Sequence, residues 1–120
     1  MMDYSKSEQI EMIEISSQQA KEKVDLMETL QTLERTKPFK KLFTDYYLNR
    51  YCRRLVGLKA SPGMQDDHSQ KLIADQLNSI GHLTQFMNFI MLEGRQAEAL
   101  LHQNGEELDY LMNSEEEEVA

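Results

Sequence analysis

The sequence predicts an all-α protein, and three observations lead there. Apolar residues recur at three- and four-residue steps through most of the chain, which is the period of a helix with one buried face. No stretch alternates apolar and polar residues as a half-buried strand does. Glycine and proline are sparse, five and two in 120 residues, so few points can break a long helix. The expected architecture is three main amphipathic helices in a small bundle, near 17–36, 38–57 and 66–93. A short fourth helix near 95–103, a flexible N-terminus and an acidic C-terminal tail complete it. This divides the chain into a flexible or partner-ordered segment 1–16, a helical domain 17–103 and an acidic tail 104–120.

Residues 1–16 are polar, with Ile10, Met12 and Ile13 able to form one apolar turn. In the first helix Ala20, Val24, Met27, Leu30 and Leu33 share one face, flanked by Leu26. The pattern is too short to demand a coiled coil, which needs several sustained heptads. A bundle helix is the plainer reading, and a self-association helix the sharper one. Pro38 then fits the first turn of a new helix and pushes its predecessor out of helical geometry, so the joint falls at Thr36 or Lys37.

The second helix is the organising element. Phe39, Leu42, Phe43, Tyr46, Tyr47, Leu48, Tyr51, Cys52, Leu55 and Val56 cover more than half its circumference, which predicts burial against at least two neighbours. It holds five of the nine Phe and Tyr residues. Gly57 is the expected left-handed cap, and Ser61-Pro62-Gly63 the turn. Asp66 or Asp67 caps the third helix, along which Ile73, Leu77, Ile80, Thr84, Met87 and Met91 form a stripe. Gly81 lies inside that helix and points to close approach by a neighbour under the aromatics. Gly94 predicts a kink or break, and Asn104-Gly105 a second end.

Charge is segregated along the chain. The net charge of −8 hides −5 in residues 1–34, +7 in 35–59 and −10 in 60–120. The overall sign disfavours nonspecific binding to nucleic acid or anionic membranes. Lys40, Lys41, Arg50, Arg53 and Arg54 interleave with the tyrosines of the second helix, and these five are the candidate partner-binding residues. The plain alternative is a charge dipole neutralised within the protein or between subunits. It ranks ahead of a protein partner, and nucleic acid comes third.

Catalytic and metal chemistry find no foothold. His68, His82 and His102 are 14 and 20 residues apart and lack an HExxH or cysteine partner. Cys52 is the one cysteine, with no neighbouring histidine to activate it, and reads as an inert buried thiol in a reducing compartment. The GxxxxGK[ST] phosphate loop is absent, and the carboxylate pairs Asp66/Asp67 and Glu106/Glu107 read as a cap and a solvated surface. The expectation is a non-enzyme without cofactor or metal. No apolar run reaches the roughly 20 residues of a spanning helix, and none suits a signal peptide.

From about Leu26 to Leu101 the chain resembles a family of small uncharacterised helical proteins encoded by tailed bacteriophages. The matching stretches are METLQTLERTKPFKKLF, DYYLNRYCRRLVGLKASPGMQ, QLNSIGHLTQF and EGRQAEALL. Phe39 after the proline, and Arg54-Leu55-Val56-Gly57-Leu58 with Ala60 and Pro62, occupy the family's positions. These are helix-packing signatures, and they carry over no site residue. The resemblance implies phage origin, a place in the bacterial host cytoplasm or the virion, and an accessory role in head assembly or DNA packaging. The expected function is that of an assembly or virion accessory protein acting through contacts with phage structural subunits or with itself, as a homo-oligomer. The alternatives are an early phage protein that inhibits a host enzyme, and a nucleic-acid-binding module.

Overall fold

In the computed structural model the backbone is described for residues 4–119 and the side chains for residues 4–113. The described chain is all-α: helix α1 (Lys6–Glu34), helix α2 (residues 37–60) and helix α3 (Asp67–Val119), with a single 3₁₀ turn at Pro62–Met64. Two compact units divide it. The terminal unit comprises Met1–Thr29 and Ile90–Ala120, and the middle unit Leu30–Phe89.

In the terminal unit α1 begins earlier than expected. Segment 1–16, read as flexible or partner-ordered, is helical from Lys6. Ser5 accepts a hydrogen bond from the Glu8 N–H at 3.1 Å, an N-cap that satisfies one orphan donor. The buried residues Ile13, Ala20 and Met27 follow at seven-residue steps. They face the second half of α3, where Ala97, Asn104 and Leu111 are buried at the same step. The two segments run antiparallel: Ser16 and Ser17 meet Asn104, whereas Met27 meets Gly94.

Two residues read as breaks are contact points of this pairing. A Cβ built on Gly94 would lie 2.6 Å from Met27 Sδ and 2.8 Å from its Cγ. Only hydrogen fits there, so the helix runs on through the glycine because α1 packs against it. Asn104, 6 % exposed, donates from Nδ2 to Ser16 Oγ (3.2 Å) and Ser17 Oγ (3.1 Å). A buried amide satisfied in this way sets the register of two helices. The separate fourth helix and the tail beginning at 104 are therefore corrected: both belong to α3. Lys23 and Glu93 close one side of the pairing with a 3.0 Å ion pair.

In the middle unit the joints lie where the sequence places them. Thr36 is extended (φ −72°, ψ 146°). Its hydroxyl donates to Leu33 O at 2.8 Å and accepts from the Phe39 N–H at 3.3 Å, so one side chain ends α1 and starts α2. At the far end Ser61, ahead of Pro62, is extended. The side-chain amides of Gln65 and Gln70 both donate to Lys59 O, at 2.9 and 3.0 Å, in place of the expected glycine cap. Gly57 lies inside the helix, and no described glycine has a positive φ. Asp66 caps α3 by accepting the Ser69 N–H at 3.0 Å.

The interior of α2 departs from a plain α-helix. After one α turn (Lys37–Phe39), residues Lys40–Tyr51 are π-helical, and Cys52–Ala60 return to α. An i→i+5 pattern winds more than 3.6 residues per turn, so residues four apart come nearly into line. Phe39, Phe43, Tyr47 and Tyr51 form such a ladder, with successive ring centroids 5.1, 6.1 and 5.8 Å apart. The ladder leads into a core of Leu55, Ile73 and Ile80, flanked by Leu48, Cys52, Leu58 and Leu77. Tyr51 Oη donates to Gln76 Oε1 at 3.1 Å.

The expectation that α2 is buried on several sides is corrected in part. Leu55 is buried and Tyr47 half-buried, but Leu42 (57 %), Tyr46 (41 %) and Val56 (55 %) face solvent. Gly81 is exposed, with nothing within 4 Å of a Cβ placed on it, so the close approach expected there occurs at Gly94 instead.

Candidate partner-binding surface

The helical frame displays the basic residues of α2 on its outer arc. Lys40, Lys41, Arg50, Arg53 and Arg54 are all exposed. Arg53 is held by its own helix, its Nε and Nη2 donating to Asn49 Oδ1 at 2.9 and 2.7 Å. Arg50 lies over Tyr46, its guanidinium carbon 5.3 Å from the ring centroid, a cation–π contact. Its Nε also donates to Asp45 O at 3.4 Å, five residues back in the π-helical stretch. Among the described residues none of the five forms an ion pair with a carboxylate.

The structure brings only two of them to a common recess. Lys41 and Arg50 flank an open depression of about 410 Å³ whose apolar floor is Pro38, Leu42 and Tyr46. Lys40, Arg53 and Arg54 lie outside it. The sequence reading missed the apolar members, assigning Leu42 and Tyr46 to the core. The ladder at steps of four takes Phe39, Phe43, Tyr47 and Tyr51 and leaves Leu42 out, while Tyr46 is off that step and meets the ladder through Tyr51, at 6.0 Å between ring centroids. Two cations beside an apolar floor suit an apolar side chain accompanied by carboxylates.

Charge also divides by unit. The terminal unit holds sixteen acids and four bases, net −12, and the middle unit five acids and nine bases, net +4, together the −8 of the whole.

The remaining candidates stay apart. His68, His82 and His102 are exposed, and no group of three metal-ligating side chains occurs among the described residues. Cys52 packs half-buried against the Leu55 core. Asp66 titrates below the ordinary carboxylate range because its charged form accepts the Ser69 backbone and side-chain hydrogen bonds, an effect of capping. No described helix is long and apolar enough to cross a membrane. Comparison of the chain with protein-family models, with curated proteins and with solved structures finds no match.

Proposed function

We propose that the protein is a non-catalytic binding module that engages an acidic protein surface through the basic recess of α2. The observation that carries this is the absence of carboxylate partners for Lys41 and Arg50 among the described residues, beside an apolar floor open to solvent. Charge-complementary surfaces accelerate and orient association, and an exposed aromatic–arginine pair is typical of an energetic anchor. On this reading the partner completes a small helical bundle whose exposed faces the chain leaves open.

The resemblance of its stretches to small tailed-phage proteins supports reading the module as an assembly or virion accessory component that acts in the host cytoplasm or on the virion. Light scattering with candidate capsid and portal subunits tests it. A complex is expected, weakened by Lys41→Glu with Arg50→Glu. Failure to bind any virion component would refute the assembly role. Retention of DNA abolished by Arg50→Glu with Arg54→Glu would assign the arc to nucleic acid instead, with affinity falling steeply as salt rises.

A further inference from the structure

The basic recess meets its chemical complement within the same sequence, on the acidic terminal unit. Tyr110, 71 % exposed, is among the most solvent-facing apolar side chains of the protein. Glu106 and Glu107 lie four and three residues before it on α3, which puts all three on neighbouring positions of one helical face. Asp109 adjoins them and is also exposed. His102 lies beside this face, its Nε2 3.1 Å from Glu106 Oε1. Glu107 and Asp109 have no ion-pair partner among the described residues. An aromatic ring set among carboxylates matches an apolar floor set between Lys41 and Arg50.

We propose that the occupant of the recess is a second copy of this chain, whose Tyr110 seats on Leu42 and Tyr46 while Glu106 and Glu107 face Lys41 and Arg50. The inference rests on the reading of that recess as a site for acidic protein, and it names the partner. The net charges of the two units support it: the terminal unit carries −12 and the middle unit +4, so crosswise pairing of copies sets opposite net charges together. In a two-fold pair the same contact forms twice, so each copy both gives and receives the acidic face.

Sedimentation velocity over a concentration series, at low and high salt, tests it. The full chain is expected to self-associate, less so as salt rises. Lys41→Glu with Arg50→Glu, and separately Glu106→Lys with Glu107→Lys, should each weaken self-association by roughly a hundredfold, because each sets like charges against one another. Mixing the two variants should restore it, since each reversed face then meets a reversed partner. Recovery on mixing also shows that both variants fold. Tyr110→Ser should weaken association without changing its salt dependence.

A wild-type chain that stays monomeric at every concentration overturns the inference. If the basic-rim variant loses self-association while the acidic-face and Tyr110 variants keep it, the recess still binds an acidic surface, and the assignment of Glu106, Glu107 and Tyr110 is overturned. If the rim variant self-associates like wild type, the recess is not the self-association site and the inference is overturned, while the binding of another acidic protein is judged by its own test.

Discussion

Two glycines in one helix give the sharpest test of the packing. Gly81 and Gly94 both lie inside α3, and helix propensity favours alanine over glycine by about 1 kcal/mol at either position. At Gly81 the new methyl group meets nothing within 4 Å, so Gly81→Ala should gain that full amount. With an unfolding entropy of about 2.1 cal/mol/K per residue over the 120-residue chain, this raises Tm by roughly 4 °C. At Gly94 the same methyl group would lie 2.6 Å from Met27 Sδ and 2.8 Å from Cγ, and Met27 is 3 % exposed. Overpacking of a filled interface costs about 1–3 kcal/mol, so the propensity gain is cancelled or exceeded, and Gly94→Ala should lower Tm by up to about 8 °C. Thermal unfolding followed by circular dichroism measures both. Met27→Ala removes Cγ and Sδ but keeps Cβ, the atom nearest the new methyl group, so in the double variant Gly94→Ala should still be destabilising, though less than it is alone. Equal stabilisation by alanine at both glycines would refute the close approach of α1 to α3.

Asn104→Leu exchanges two hydrogen bonds to serine hydroxyls for apolar contact. Stability should move by no more than about 1 kcal/mol, while the pairing of α1 with α3 loses its single register. Interhelical NOEs read this, and one unchanged set of cross-peaks would count against a register role. The Ser69 hydrogen bonds lower the Asp66 pKa below its ordinary value in the folded protein, so the capping contribution is fully present above that ordinary value and is lost as pH falls through the folded pKa. Asp66→Asn should therefore lower stability slightly at neutral pH, where the charged cap contributes, and leave it least changed in acid, flattening the acid limb below about pH 4. An unchanged acid limb would show that the cap carries no linkage.

Much of the fold was legible in residues whose chemistry is local. Thr36 with Pro38, Ser61 with Pro62, and Asp66 mark the joints between helices because each acts on backbone groups within a few positions of itself. The exposure of Lys40, Lys41, Arg50, Arg53 and Arg54 was equally legible, since long charged side chains stay in water unless paired. The recess was half legible. Lys41 and Arg50 were named, but Leu42 and Tyr46 were assigned to the core. A 3.6-residue period misplaces faces along Lys40–Tyr51, where the backbone winds wider.

The sequence by itself determined that the chain is helical, where two of its turns fall, and that a basic arc stands between acidic ends. Tertiary structure decided that α3 runs unbroken from Asp67 to Val119, that α1 starts at Lys6, and which aromatic residues remain outside. The physical reason is the size of the local signals. A glycine or an asparagine disfavours a helix by about 1 kcal/mol or less, and packing against a second helix outweighs that. Gly94 and Asn104 read as breaks in isolation, and against α1 they are the points where the two helices fit.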